Sequence, residues 1–129
     1  MSNVRRVNVL VETDAASGAN VLSSETLNGL LYAVEFDPSS GSPWSSAADF
    51  AITKENGPDV LHCDLASGQN QIYYPRRQAN GTASGAFDPA GNTSGRVPVM
   101  MPFSDERVRI VVTSGGATTS GYVRLYLAD

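Results

Sequence analysis

The chain has 129 residues, of which 41% are hydrophobic, and its formal charge is −4. That length fits one domain around a single core, and the acidic balance excludes a basic nucleic-acid face as its main working surface. Charged residues make up only 17%, below the ordinary share, so neutral polar groups fill the surface, as suits a protein that packs against other protein.

Period-two alternation runs through the chain and predicts strands. In residues 4–11, Val7, Val9 and Val11 share one face, opposite Arg6 and Asn8. A turn over 14–18 leads to a short candidate strand at 20–23. The one helix-compatible window, 23–31, is interrupted by Asn28-Gly29. Leu30, Tyr32, Val34 and Phe36 form the cleanest stripe, with Ala33 and Glu35 opposite, which predicts a strand with one buried face. Residues 37–48 read as a loop, punctuated by Pro38, Gly41 and Pro43. Phe50 and Ile52 alternate in the next strand, closed by Asn56-Gly57-Pro58. Leu61, Cys63 and Leu65 then face inward, with His62 and Asp64 outward. Residues 72–74 are extended, because Pro75 biases Tyr74 away from helix.

Residues 75–96 break the pattern, with four Gly, two Pro, three Arg and one aromatic residue, Phe87. Such a segment buries little apolar surface, and structureless loops this long are usually functional or disordered. It is expected to be an extended interaction arm. An apolar run resumes at 97–101, then Val108, Ile110 and Val112 alternate against Arg107 and Arg109. Ser114-Gly115-Gly116 predicts a hairpin pairing 107–113 with 121–127. The expected fold is all-β: a single-domain antiparallel β-sandwich over 1–129, jelly-roll-like, with eight or nine short strands.

No residue set stands out for catalysis, a cofactor or a metal. His62 is the sole histidine and Cys63 the sole cysteine, too few for a zinc site, and no calcium or phosphate loop is present. His62 reads better as a solvent-facing strand residue than as a base oriented by Asp64. Trp44, Tyr73 and Tyr74 offer stacking surfaces for a carbohydrate, although Trp44 in its loop also suits a cover for the core edge. Eight of the nine basic residues are Arg, which points either to interfaces or to a GC-rich genome. Arg76 and Arg77 either root the arm, aimed at acidic protein, or end a strand in solvent. The first residues lack the apolar stretch of a secretory signal, and no apolar run approaches the ~20 residues of a membrane span. A cytoplasmic chain without a membrane partner is expected.

Tyr74-Pro75-Arg76, then Thr82-Ala83-Ser84-Gly85-Ala86, and Glu106-Arg107-Val108-Arg109-Ile110-Val111-Val112 leading through Gly115-Gly116 to Gly121, carry a resemblance over the second half of the chain. It resembles small β-sandwich virion structural proteins of tailed bacteriophages. The resemblance implies a non-enzymatic particle component, foremost a capsid decoration (cement) protein on the head surface. Its implied partners are the major capsid protein and copies of itself, with a homotrimer favoured. Head–tail joining, a tail role, or a carbohydrate- or receptor-binding module remain alternatives. The expected contacts are Tyr74 and Phe87 as apolar anchors, with Arg76 and Arg77 meeting carboxylates.

Overall fold

The computed structural model describes residues 4–55, 57, 59–64, 70–80 and 96–128, with 77–80 and 96–99 described by backbone alone. Among the described residues eleven strands follow one another: β1 (Val4–Glu12), β2 (Ala19–Leu22), β3 (Leu27–Pro38), β4 (Asp49–Lys54), β5 (Asp59–Asp64), β6 (Gln71–Tyr73), β7 (Arg77–Asn80), β8 (Arg96–Val99), β9 (Met101–Glu106), β10 (Val108–Thr113) and β11 (Ser120–Ala128). No helix occurs among the described residues.

Two antiparallel sheets pack face to face. The first has the order β1-β11-β3-β6, with β9 beside the other half of β3; the second has the order β2-β10-β4-β5. Strands β7 and β8 pair with each other as a separate ribbon. With the ribbon and β9 set aside, the remaining eight strands are ordered 1-8-3-6 in one sheet and 2-7-4-5 in the other. That is jelly-roll topology.

The alternating valines and leucines explain the sandwich. Val7, Val9 and Val11 of β1 and Val123, Leu125 and Leu127 of β11 point into the interior. They meet Phe50 and Ile52 of β4 and Val108, Ile110 and Val112 of β10. Trp44 closes one end: it is 2% exposed, lies edge-on to Phe50 at 4.8 Å, and its Nε1 donates to Val11 O at 3.3 Å.

Three expectations are corrected. The hairpin between 107–113 and 121–127 does not form, because β10 belongs to the second sheet and β11 to the first. Both strands carry a fully apolar face, so they satisfy each other across the core rather than side by side. Left-handed residues Ser114 (φ 56°), Gly116 (φ 87°) and Thr118 (φ 57°) turn the chain from one sheet to the other. The strand count rises to eleven because the polar stretch supplies β7 and the 97–101 run divides into β8 and β9.

The third correction concerns β3. Opposite Leu127 and Tyr126 the register passes from Leu31 to Ala33, so Tyr32 is an extra residue. A bulge of this kind shifts the side-chain parity by one. Val34 and Phe36 are buried as expected, but the inward residues before the bulge are Leu27 and Leu31, while Leu30 and Tyr32 face out. The helix-compatible window is also settled by close contacts. Ser23 exchanges hydrogen bonds with the Val108 backbone, and Gly29 (φ 111°) passes so near Ala128 that a Cβ would lie 2.6 Å from its carbonyl oxygen.

Candidate functional site

The two outer faces of the sandwich differ. Among the described residues seven large hydrophobic side chains are exposed: Val4, Leu10, Leu30, Tyr32, Ile72, Tyr74 and Tyr122. All lie on β1, β3, β6 and β11 of the first sheet, or directly after β6. The second sheet presents small or polar groups such as Asn20, Thr53, His62 and Arg109, two of which bond each other, Arg109 Nη1 to Asn20 Oδ1 at 2.8 Å. Apolar residues scattered singly on a surface mean little, whereas a contiguous set on one face marks an interaction site.

Four of the seven gather at one end of the sheet, whereas Leu10 and Tyr122 pair at the other. Val4, Tyr32, Ala33, Ile72, Tyr74 and Tyr126 line a depression of about 260 Å³. Tyr32 and Tyr74 meet edge to face, 5.8 Å between centroids, so each ring holds the other. The β3 bulge supplies Tyr32, and the chain leaving β6 supplies Tyr74 and the buried Pro75. Arg76 sits at the rim: its Nη1 donates to Tyr32 O at 3.0 Å and to Pro75 O at 2.8 Å, and its guanidinium lies 5.9 Å from the Tyr32 ring.

A bonded charge network supports this face. Tyr126 Oη donates to Glu35 Oε1 at 2.7 Å, Asn70 Nδ2 donates to Glu35 Oε2 at 2.8 Å, and Arg124 joins Glu35 to Asp37. The Tyr126 hydrogen bond, opposed by burial and helped by Asn70 and Arg124, holds the Glu35 carboxyl below its ordinary value. The same bond, with burial, raises the Tyr126 hydroxyl, while Arg6 pulls it back down. Asp37 bonding raises Arg124. These charges are paired within the protein, and the Glu35 bond holds Tyr126 in place.

Of the residues expected from the sequence, Tyr74 lines the depression and Arg76 stands on its rim. Arg77 opens β7, by backbone alone, and Phe87 lies outside the described residues. Sequence reading missed Tyr32, Ile72, Val4 and Tyr126. The available signal was apolar residues in the solvent phase of a strand, as at Val4 and Leu10 of β1. The carbohydrate surface built on Trp44 and Tyr73 is not present: Trp44 is core, and Tyr73 is half-buried against Phe36, 5.6 Å away.

His62 is exposed and its Nε2 lies 2.9 Å from Asp49 Oδ1, so its neighbour is Asp49 rather than Asp64. Cys63 points inward, where burial pushes its thiol up to about 11 against a hydrogen bond from Tyr73. A larger polar cleft of about 390 Å³ lies between Thr26, Glu55, Asp105, Glu106 and Arg107. Its Glu106 is engaged by Ser104 N at 3.0 Å and Lys54 Nζ at 3.3 Å. Among the described residues no group of three His, Cys, Asp or Glu is placed to hold a metal ion.

The fold class these observations define is a jelly-roll β-sandwich with one aromatic outer face. No protein-family model matches the sequence, and no curated protein matches it. The crystal structure of FLHE is similar over 98% of this chain and 96% of that one, at 11% identity and a TM-score of 0.45.

Proposed function

We propose that this chain is a non-enzymatic structural protein of a tailed-bacteriophage particle, a capsid decoration protein that binds the assembled head and stabilises it. The observation that carries the reading is the asymmetry of the sandwich, where the seven exposed large hydrophobics among the described residues lie on the first sheet or directly after β6. A face of that kind is costly to leave in water at ~25 cal/mol per Å² and is accounted for by a partner. The jelly roll recurs in viral capsid proteins, a fold-level analogy that raises the prior without assigning a role. The partners are the major capsid protein and copies of the chain itself, favoured as a homotrimer matching a three-fold lattice position. A protein that binds assembled lattice and not free subunits stabilises the assembly by mass action, and many copies act together.

The test is co-sedimentation of the purified chain with undecorated heads of the source phage and with dissociated capsid subunits. Binding to heads alone is expected, with occupancy lost in a Tyr32→Ser/Tyr74→Ser variant and retained in Thr53→Glu on the second sheet. Equal binding to free subunits, or full occupancy by the tyrosine variant, would overturn the reading. Attachment confined to the neck or tail of intact particles would replace it with a joining or tail role.

A further inference from the structure

We infer that the tyrosine depression receives a short extended segment of a protein partner in which two carboxylates flank an apolar side chain. The inference rests on the reading of this face as the docking surface and adds what the face recognises. Val4 and Arg6 stand on β1, Tyr126 on β11, Tyr32 and Ala33 on β3, and Ile72 on β6, so the depression crosses four neighbouring strands. Three inter-strand steps of ~4.8 Å make about 14 Å. An extended chain covers that in about four residues and turns side chains i, i+2 and i+4 toward the groove.

Charge decides which side chains those are. Arg6 is exposed on the β1 bank beside Tyr126, and Arg76 is exposed on the opposite bank beside Tyr74. Neither has an ion-pair partner among the described residues. Both hydrogen bonds of Arg76 to described residues leave from Nη1, and they hold its guanidinium beside Tyr32, 5.9 Å from the ring. The carboxylate beside the depression, Glu35, is already held by Tyr126, Asn70 and Arg124. The lining itself is uncharged, and the two arginines beside it offer positive charge within a chain of net charge −4. Carboxylates at i and i+4 meet the two guanidiniums, whose planar donors favour that geometry. The side chain at i+2 packs among Tyr32, Ile72 and Tyr74, rigid anchors that lose little entropy.

The experiment titrates the full ¹⁵N-labelled chain with a capped pentapeptide, Asp-Thr-Leu-Thr-Asp, and with Lys-Thr-Leu-Thr-Lys, following amide shifts. The acidic probe is expected to bind about 10-fold or more tightly than the basic one, with shifts on β1, β3, β6 and β11. The preference should reverse in Arg6→Glu/Arg76→Glu, a change that loss of packing alone would not produce. Equal response to both probes, shifts elsewhere on the molecule, or an unchanged preference in the reversed variant would overturn the inference. If the wild-type chain occupies phage heads but does not prefer the acidic probe, the groove inference fails and the decoration reading stands. If the wild-type chain binds the acidic probe but not heads, the decoration reading fails and the groove inference stands.

Discussion

Trp44→Ala separates a core plug from an exposed stacking residue, and the structure sets its size. Trp44 is 2% exposed, packs on Phe50 at 4.8 Å and donates to Val11 O. Truncating a buried aromatic costs about 3–5 kcal/mol, and an unsatisfied Val11 carbonyl adds about 1 kcal/mol, since the 3.3 Å bond is long. Unfolding entropy scales as ~2.1 cal/mol/K per residue, giving about 0.27 kcal/mol/K for 129 residues. The midpoint should therefore fall by about 15–22 °C, read by calorimetry or circular dichroism. Trp44 is the sole tryptophan, so wild-type emission should be blue-shifted and resistant to acrylamide until the same transition. A fall under about 4 °C would refute the plug, because surface substitutions stay within about 0.5 kcal/mol.

Three further outcomes follow from single contacts. Gly121→Ala places a Cβ 2.6 Å from Trp44 Cη2 and 2.8 Å from Asp37 O, so it should cost about 1–3 kcal/mol. Trp44→Phe removes the ring atoms in question, and the double variant should be less destabilised than the sum; strict additivity in denaturant melts would dismiss the contact. Glu35 has a folded pKa below its ordinary 4.5, mainly through Tyr126, so its stabilisation is present above that value and lost as pH falls through the folded pKa. The stability gap between wild type and Tyr126→Phe should be steady near neutral pH and close below about 4.5; a gap independent of pH would exclude the carboxylate as the partner. Cys63, raised to about 11, should react with iodoacetamide at least about 10-fold more slowly in the folded chain than in urea, and equal rates would contradict its inward placement.

The β-sandwich was legible because burial on one face writes a period of two into β1, β4, β10 and β11. Its jelly-roll wiring was less so. A Gly-Gly turn between two alternating strands looks the same whether the chain folds back within a sheet or crosses to the other, since both give each strand one apolar face. What distinguishes them is which neighbours occupy the strand edges, and for β11 those are β1 and β3, distant in sequence. The site was partly visible. Tyr74 and Arg76 announce themselves through the proline between them, but Tyr32 reads as core because Leu30, Leu31, Tyr32, Ala33 and Val34 are all apolar and either parity suits them.

The bulge at Tyr32 links core and surface. Without the extra residue, the inward phase set by Val34 and Phe36 would continue to Tyr32 and Leu30, sending Leu31 outward. The bulge keeps Leu27 and Leu31 in the core and places Tyr32 and Ala33 on the outer face, where they meet Ile72, Tyr74 and Tyr126. It also lies where the neighbour of β3 changes, from β9 along Leu27–Leu31 to β6 along Val34–Phe36. The polar stretch departs through that same opening: β6 ends there, Tyr74 and Arg76 follow, and the β7–β8 ribbon comes next in sequence. The aromatic depression and the point where the chain leaves β6 thus both lie at the added residue in the longest described strand.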